Sequence, residues 1–402
     1  MNLILLVSFL IMVGYLALES YLQQKRLKKV PRRIAVTGIR GKSSITRLIA
    51  SGLKEAGFKV MAKTTGSRPV LIYPDGREEE IRRRGKPTIL EQKTLVSKAV
   101  EHKADYLVSE MMSIQPECLQ AESRYLLRPE ILVLSNIRLD HLDQMGESRE
   151  EIARSLSTAF PTRGIIFIPE EESFSWMVEE ARRKGSEVIL VKKDPELENL
   201  KGILPYPEFE TNVRLAAAVL KHRGLSADQI IKGFGKVIPD YGSLKVWKKA
   251  VEGSSKPCYF ASLFAANDPE STMEAMDLVV AKAGGQNQNI IGLLSLRGDR
   301  LDRTRQWADF LIKEKTDNLN SLALVGPGSK ALQRYLKKSL SGRGKRVLLI
   351  RNQEPEECLE KITAFAPSGD EAEVVIFGLG NIGGFGQKMI DYLERTADAV
   401  KL

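Results

Sequence analysis

The chain has 402 residues, of which 43% are hydrophobic, and this length predicts two or three domains with sizeable cores. Its three cysteines, Cys118, Cys258 and Cys358, lie far apart and form no C-x-x-C pair, which argues against a zinc site or a disulfide framework. The formal net charge of +10 is compatible with nucleic acid, an anionic membrane face or an acidic substrate. The position of the charges has to distinguish these partners.

The chain begins with an uncharged apolar segment, residues 1–18, MNLILLVSFLIMVGYLAL. As a helix it would be roughly 27 Å long, close to the thickness of the hydrocarbon core of a bilayer. A secretory signal would begin with basic residues, whereas here they follow the segment, at Lys25, Arg26, Lys28, Lys29, Arg32 and Arg33. The positive-inside rule therefore predicts an uncleaved, single-pass anchor in the cell membrane and cytoplasmic catalytic domains. A buried core helix is the alternative. Because so much charge lies here, no nucleic acid partner is expected.

After the anchor, short β-branched runs alternate with amphipathic helical stretches. The runs RIAVTG, KVMAKTT, ADYLVSE, EILVLSNI and GIIFIP predict buried strands of a parallel sheet with helices on both faces. A second series follows the joint at 239–242: CYFASLFAAN, IIGLLSL, LALVG, RVLLI and VVIFGLG. We predict an α/β protein with an anchor and basic flank at 1–30, a doubly wound parallel-sheet domain at 31–240, and a smaller Rossmann-like domain at 241–402.

The segment GIRGKS, residues 38–43, joins the first predicted strand to the first predicted helix of the larger domain. Such a turn directs backbone N–H groups and the positive end of a helix dipole at one point, which suits a phosphate group. Lys42 would place its ammonium group against the outer phosphates, and Ser43 would offer its hydroxyl to Mg²⁺. The loop is shorter than G-x-x-x-x-G-K-[ST], so an ordinary strand-to-helix turn is the alternative.

Two further predicted strands end in polar residues, at the edge where a doubly wound sheet binds its ligands. Glu110 ends ADYLVSE and could hold the Mg²⁺ that bridges nucleotide phosphates, although a solvated acid is an equal alternative. Asn136 ends the next strand and is followed by Asp140, His141 and Asp143. An imidazole there could bind a metal while a carboxylate orients it.

The G-x-x-G-K-S loop, the strand-ending glutamate and the N-x-x-x-D-H-x-D group together resemble the Mur ligase superfamily, which includes peptidoglycan amino-acid ligases and folylpolyglutamate synthase. Within it, the anchor and the segments TGIRGKS, AKTTGSRP, SEMMSIQPE, FAANDPEST, LRGDRLDRTRQWAD and FGLGNIGGFG look like the poly-γ-glutamate synthases, over essentially the whole chain. The resemblance implies a Mur-ligase-like P-loop ATPase domain. It also implies that ATP and Mg²⁺ activate a glutamate carboxylate as an acyl phosphate, from which an amine displaces phosphate to extend poly-γ-glutamate.

The resemblance implies roles for individual residues. Catalysis and metal binding would involve Lys42, Ser43, Glu110 and His141. The remaining contacts to ATP would come from Gly38, Gly41, Ser44, Asn212, Arg297 and Asp302, and those to the substrate from Asn267, Asp268, Ser271, Arg300 and Arg303. For Asn212 a helix-start asparagine is the alternative, and for the arginine-rich loop a solvated charge cluster. Peptidoglycan ligases use a carbamylated lysine at a second metal, and none is assigned here.

Other interpretations are open at this stage. Gly378, Gly380 and Gly383 form a G-x-G-x-x-G pattern, but a dinucleotide site needs a further strand after the helix, for which the sequence leaves no room. These glycines are instead expected to allow close packing or to line the acceptor site. A folylpolyglutamate-type ligase would lack the anchor, and a membrane-tethered nucleotide switch or scaffold would bind ATP without ligation. The resemblance further implies an oligomer and small membrane partners of the PgsC and PgsA type.

Overall fold

The structure is a computed structural model that divides into two compact units, Met1–Asp240 and Tyr241–Leu402. We call them the first and the second unit. The structure describes residues 2–66, 68–83, 85–140, 142–193, 203–251, 258–266, 269–283, 288–313, 319–341, 345–351, 354–366 and 373–400.

The first unit contains an eight-stranded sheet with the order β4-β3-β2-β5-β1-β6-β7-β8 in its described part. All five strands predicted from the early apolar runs form there, and they are parallel to one another. The short β3 and β4 form an antiparallel edge that the sequence did not indicate, because the three residues of β4 are exposed glutamates without an apolar pattern. The strands are β1 Arg32–Thr37, β2 Val60–Thr64, β3 Val70–Ile72, β4 Glu78–Glu80, β5 Tyr106–Glu110, β6 Ile131–Leu134, β7 Ile165–Pro169 and β8 Glu187–Val191.

Helices cover both faces of this sheet, as the strand pattern predicted. One hydrophobic core joins α2, α8 and α9 to the sheet, and a second joins the end of α1 with α3, α4, α6 and α7 on the opposite face. The helices are α1 Asn2–Lys29, α2 Lys42–Glu55, α3 Glu91–Glu101, α4 Pro116–Ala121, α5 Leu142–Met145, α6 Arg149–Ser157, α7 Ser175–Arg183, α8 Glu210–His222 and α9 Ala227–Gly235, with a π-helical segment at Glu122–Leu127.

The second unit contains a seven-stranded sheet with the order β13-β12-β11-β14-β10-β9-β15 within the described residues. Its strands are β9 Lys245–Lys249, β10 Cys258–Ser262, β11 Gln288–Ser295, β12 Ser321–Val325, β13 Arg346–Leu349, β14 Glu373–Gly380 and β15 Asp398–Val400. Its helices are α10 Pro269–Ala283, α11 Leu301–Lys313, α12 Ser329–Ser341, α13 Pro355–Phe365 and α14 Gln387–Thr396.

One expectation about the second unit was wrong. A strand, β15, does follow the last helix, although the sequence was expected to leave no room for one. It pairs antiparallel with β9 at the sheet edge, whereas β14 lies between β10 and β11. The strand after the G-x-G-x-x-G turn therefore does not lie beside β14, as a dinucleotide-binding unit would require.

The amino-terminal helix α1 is continuous from an exposed apolar segment into the first unit. Leu3 to Leu18 expose large hydrophobic side chains, and the helix is long and apolar enough to cross a membrane by length and composition. Near its end, the buried Leu27 packs in the core, and the Gln23 Nε2 donates a hydrogen bond to the Leu126 carbonyl oxygen at 2.9 Å. The final third of α1 is thus part of the folded unit.

Arg33 closes the carboxyl end of α1. Its Nη1 donates to the carbonyl oxygens of Leu27 at 3.0 Å and Val30 at 2.6 Å, and its Nε donates to that of Leu127 at 3.0 Å. Leu27 also accepts from the Val30 N–H at 3.2 Å, so the guanidinium adds charged donors to the carbonyl oxygens at this helix end.

We expect Arg33→Ala to lower the free energy of unfolding by about 2 kcal/mol, because several charge-assisted hydrogen bonds to partly buried carbonyl oxygens are lost together. Denaturant unfolding of the detergent-solubilised full chain measures this change. The exposed Lys28→Ala is the matched control. Equal stability of the two variants would contradict a role for Arg33 in holding α1 on the unit.

Candidate functional site

The glycine turn between β1 and α2 lets neighbouring side chains come close to its backbone. Gly38 has φ 119° and Gly41 has φ 77°, both in the region that favours glycine. A Cβ on Gly38 would lie 2.2 Å from Ser135 Oγ, and one on Gly41 would lie 2.2 Å from Asn212 Oδ1. Gly41 precedes α2 without a side-chain cap, so the first N–H groups of that helix are available to an anion.

Lys42, the first residue of α2, turns its ammonium group back onto the same turn. Nζ donates to the carbonyl oxygens of Gly38 at 2.8 Å and Ile39 at 3.1 Å. The turn encloses this ammonium group although the side chain as a whole is only partly buried. Desolvation lowers the pKa of Lys42, and the Glu110 carboxylate partly offsets that effect. Phosphate oxygens would be stronger acceptors than the two carbonyls.

Two of the predicted metal ligands, Ser43 and Glu110, are in direct contact. Ser43 Oγ donates to Glu110 Oε2 at 2.7 Å, and the Thr65 backbone N–H donates to the same oxygen at 2.7 Å. Glu110 is 3% exposed and ends β5, beside Val36 of β1 in the parallel register. A hydroxyl and a carboxylate at one point are ligands that suit Mg²⁺. The donor set therefore fits a magnesium ion that would also be held by nucleotide phosphates.

Asp240 approaches the same point and was not singled out by the sequence. A Cβ on Gly66 would lie 2.6 Å from Ser43 Oγ and 3.2 Å from Asp240 Oδ2, so all three groups are neighbours. The described residues contain no group of three or more His, Cys, Asp or Glu side chains that could hold a metal. A metal here would thus depend on few protein ligands, which is usual for magnesium bound with phosphates.

A buried carboxylate, Glu122, supports the end of β5. Gln92 Nε2 donates to Glu122 Oε1 at 2.6 Å and to the Glu110 backbone oxygen at 3.2 Å. Ser113 Oγ and its backbone N–H donate to Glu122 Oε2 at 2.6 and 3.1 Å. These bonds fix the chain just after Glu110. An acid in a helical stretch resembles a solvated residue, so this role could not be predicted from the sequence.

Asn136 holds the glycine turn from the neighbouring strand. Its Oδ1 accepts from the Arg40 backbone N–H at 2.9 Å and its Nδ2 donates to the Arg40 carbonyl oxygen at 3.3 Å. Arg40 in turn pairs with Asp140 at 2.7 Å. The structure therefore brings the end of β6 to the turn. His141 lies outside the described residues, so its part in a metal site stays a prediction.

Glu208 is a further residue of the site that the sequence did not indicate. Asn212 Nδ2 donates to Glu208 Oε1 at 2.8 Å, and the carboxyl also bonds the Phe209 N–H and the Ser44 side chain. Asn212 Oδ1 meanwhile packs on Gly41. One buried carboxyl thus joins the start of α8 to the start of α2. Desolvation raises the pKa of Glu208.

This raised pKa predicts a pH dependence of stability. The folded chain keeps a proton that an unfolded glutamate releases near pH 4.3, so the free energy of unfolding falls as pH rises from about 4.3 through the folded-state pKa of Glu208. Below about 4.3 its contribution is constant, because both states are protonated. We expect Glu208→Gln, which resembles the protonated carboxyl, to reduce this decline.

Unfolding free energies measured over a pH series for wild type and Glu208→Gln provide the check. Glu210→Gln, whose carboxylate pairs with Arg214 at 3.2 Å, is the control and is expected to retain the decline. Identical pH profiles for wild type and Glu208→Gln would show that the burial of this carboxyl does not affect stability.

The predicted arginine-rich loop of the second unit is folded onto itself by ion pairs. Arg297 donates two hydrogen bonds to Asp299, at 2.9 and 2.6 Å. Arg300 donates two to Asp302, at 3.2 and 3.0 Å. Hydrogen bonds from Arg300 lower the pKa of Asp302. Arg303 points inward, and its Nη1 donates to Asn381 Oδ1 at 3.0 Å.

The glycine-rich segment after β14 packs against this loop. A Cβ on Gly380 would lie 2.6 Å from the Ser295 carbonyl oxygen, and one on Gly383 would lie 2.4 Å from Arg297 Nη1. The close packing expected of these glycines is therefore present. Ser271 lies in the first turn of α10, while Asn267 and Asp268 lie outside the described residues. The predicted site residues thus form two groups, one in each unit. The group in the first unit contains Gly38, Gly41, Lys42, Ser43, Ser44, Glu110 and Asn212, and the group in the second unit contains Arg297, Arg300, Asp302 and Arg303.

Each of the two units matches a known family model. The sequence matches the Mur ligase middle domain over residues 36–223 and the poly-gamma-glutamate synthase CapB C-terminal domain over residues 248–396. It is 33% identical over 302 residues to capsule biosynthesis protein CapB of Bacillus anthracis, covering 75% of this chain and 64% of that protein. It is 29% identical over 394 residues to PGA synthase CapB of Bacillus subtilis, covering 98% and 97% respectively. The match thus spans just under two thirds of the first relative and nearly all of the second.

A solved structure shares the fold. A bifunctional folylpolyglutamate synthase/dihydrofolate synthase from Yersinia pestis, complexed with AMPPNP and Mn ion, aligns with a TM-score of 0.61. The alignment has 14% sequence identity and covers 94% of this chain and 92% of that chain.

Proposed function

We propose that the chain belongs to the poly-γ-glutamate synthase family of Mur-type ligases, whose models its two units match, and that it uses ATP and Mg²⁺ to extend a γ-linked glutamate polymer. One observation carries the proposal: the glycine turn, the Lys42 ammonium group and the Ser43–Glu110 pair meet at the ends of β1 and β5. That arrangement suits a nucleotide triphosphate with a divalent cation. The Yersinia pestis relative in fold is complexed with AMPPNP and Mn ion, which supports a nucleoside triphosphate together with a divalent metal ion.

In the proposed reaction a glutamate carboxylate oxygen attacks the γ-phosphorus of ATP, the bond to the β,γ-bridging oxygen breaks, and ADP leaves. The amine nitrogen of a second glutamate then attacks the acyl carbon, so that phosphate leaves and an amide forms with loss of one proton. Lys42 would neutralise charge on the transferred group, and the N–H groups of α2 would orient it. Ser43 and Glu110 would hold Mg²⁺, which neutralises phosphate charge when bound.

Further residues take roles in this proposal. Support for Asn212 near the nucleotide comes from its contact with Gly41, and we assign it to the ATP base. We assign His141 to a second metal and the loop residues Arg297 and Asp302 to ATP. To the glutamate substrate we assign Asn267, Asp268, Ser271, Arg300 and Arg303, since arginine forks and hydroxyls bind carboxylates well.

We also propose that α1 anchors the protein in the cell membrane with both units in the cytoplasm. The exposed apolar residues of α1 and the basic residues that follow support this location. We retain the domain limits at 1–30, 31–240 and 241–402, and the division of the chain between Asp240 and Tyr241 supports the second boundary. Small membrane partners of the PgsC and PgsA type and an oligomeric assembly complete the proposal.

The direct test incubates membranes that contain the full chain and its partners with ATP and labelled D- or L-glutamate. We expect ADP release that depends on glutamate, and a labelled product whose linkages are γ-amides. ATP turnover that ignores glutamate would instead support a nucleotide switch. Ligation of glutamate only to a folate acceptor would support a folylpolyglutamate-type enzyme.

A further inference from the structure

The parallel strands of the first unit give its sheet two distinct edges. At the carboxyl edge, where the strands end, lie the glycine turn after β1 and Glu110 at the end of β5. At the amino edge the same strands begin, with Arg33 near the start of β1 and Tyr106 at the start of β5. We use the terms carboxyl edge and amino edge for these two sides. The proposed nucleotide site belongs to the carboxyl edge.

Helix α3 runs from the carboxyl edge to the amino edge. Near its start, Gln92 donates to the backbone oxygen of Glu110, and its last residue, Glu101, lies shortly before Tyr106 at the beginning of β5. This direction is the one expected of a helix that connects parallel strands. A residue that contacts the start of α3 therefore lies at the carboxyl edge, and one that contacts its end lies at the amino edge.

The anchor helix α1 runs beside α3 in the same direction. Glu19 pairs with Lys93, in the first turn of α3, at 2.6 Å, so Glu19 lies at the carboxyl edge. The end of α1 lies at the amino edge, because Arg33 binds the carbonyl oxygens of Leu27 and Val30. From Glu19 to Val30 the helical rise is about 16 Å, which matches a passage along the sheet.

The apolar part of α1 must then continue past the carboxyl edge. Residues 3–18 precede Glu19 in the same uninterrupted helix, and they would extend about 24 Å further in a straight line. Their large apolar side chains are exposed, which is a state that water disfavours and a hydrocarbon core favours. A bilayer around this segment would lie over the carboxyl edge rather than over the amino edge.

The same edge carries a basic surface. The segment 81–90, IRRRGKPTIL, joins β4 to α3 and contains four basic residues and no acid; we call it the basic loop. Both of its ends are at the carboxyl edge, since Glu80 pairs in register with Val70, which pairs with Thr64 at the end of β2. Arg82 and Lys86 are exposed, and Leu90 is 52% exposed.

Acidic groups around the basic loop are already engaged. Glu91 accepts two bonds from Arg83, at 2.7 and 3.1 Å, and pairs with the buried Lys63 at 3.1 Å. Glu80 lies 3.9 Å from Arg68. The exposed charge that the loop presents is therefore positive, and each such residue near an anionic bilayer adds to the attraction.

We propose that the carboxyl edge of the first unit faces the bilayer and that the basic loop contacts anionic lipid headgroups. The inference depends on the anchor proposed above. It places the nucleotide-binding edge against the membrane, so that polymer made there is released near the lipid surface, where export would have to begin.

The test measures where two labels lie relative to the lipid. The background is the full-length protein with Cys118→Ser, in which the two remaining cysteines are buried. One exposed cysteine is then introduced, either by Thr88→Cys in the basic loop or by Glu101→Cys at the amino edge. Each is labelled with an environment-sensitive fluorophore and reconstituted into phosphatidylcholine vesicles with or without phosphatidylglycerol. A nitroxide on the lipid headgroup serves as quencher.

We expect strong quenching at Thr88→Cys and little at Glu101→Cys. Phosphatidylglycerol should increase the quenching at Thr88→Cys, and the added pair Arg82→Gln and Lys86→Gln should remove that increase. Stronger quenching at Glu101→Cys would overturn the orientation. If phosphatidylglycerol does not change the quenching at Thr88→Cys, or if the quenching requires an added membrane protein, the proposed contact between the basic loop and anionic headgroups is wrong. Failure of the protein to float with the vesicles would overturn the anchor. None of these measurements depends on glutamate ligation, so loss of the proposed activity would leave them interpretable.

Discussion

Lys42→Ala is expected to reduce glutamate-dependent ADP formation by about 10³-fold or more, because a positive charge that acts on the transferred phosphoryl group is lost. The change should fall on kcat, since this charge matters most as the phosphoryl group moves. Initial rates of ADP release at saturating ATP and glutamate provide the measurement.

The fold should survive this substitution. The Lys42 ammonium group bonds only the carbonyl oxygens of Gly38 and Ile39 among the described contacts, and its burial carries a desolvation cost. Thermal unfolding of Lys42→Ala is therefore expected to match wild type. Lys54→Ala, at the other end of α2, is the control and should retain activity. Polymer synthesis at the normal rate by Lys42→Ala would refute the assignment of the phosphate site.

Glu110→Gln is expected to weaken Mg²⁺-dependent activity by more than the roughly 10–100-fold typical of residues that only support a metal ligand. The amide keeps the shape of the side chain but loses the charge that attracts the cation. The amide oxygen can still accept from the Ser43 hydroxyl and the Thr65 N–H, both of which now donate to one carboxylate oxygen, so the loss is mainly that of the negative charge. We therefore expect a higher Mg²⁺ requirement together with a lower maximal rate.

Titration of activity with Mg²⁺ at fixed ATP separates these two effects. The exposed Glu117→Gln, on the helix that follows, serves as control and should give the wild-type curve. An unchanged Mg²⁺ dependence in Glu110→Gln would contradict its role as a metal ligand. A change in thermal stability alone, with an unchanged titration, would limit Glu110 to holding the turn at Thr65.

Local sequence was sufficient to predict several parts of the site. A short glycine turn between an apolar run and an amphipathic helix has few conformations, so its position at the end of β1 could be predicted. Glu110 could be placed for the same reason, as the last residue of a buried strand. The contact between Ser43 and Glu110 spans 67 residues of chain, and it follows only once β1 and β5 pair as neighbours.

Glu122 and Glu208 show where prediction from sequence ended. Each is a glutamate in or beside a helix, the usual setting of a solvated acid, and each is buried because residues distant in the chain surround it. The partners of Glu122 come from α3 and from the loop after β5, and those of Glu208 come from α2 and α8. Burial of a charged side chain depends on which elements pack together, and composition does not specify this.

That residues 1–18 are apolar and long enough to span a bilayer could be predicted without a structure, because hydropathy and helical rise are properties of the segment alone. The side of the first unit on which that segment emerges became known from the packing of α1 on the unit. The direction of α1 depends on the contact of Glu19 with Lys93, 74 residues away, and on Arg33, which joins the end of the helix to the Leu127 carbonyl oxygen, 94 residues away. The short link from Lys29 to Arg32 places the end of α1 beside the start of β1, but hydropathy does not specify whether the rest of the helix packs back along the sheet, so side-chain contacts had to decide this.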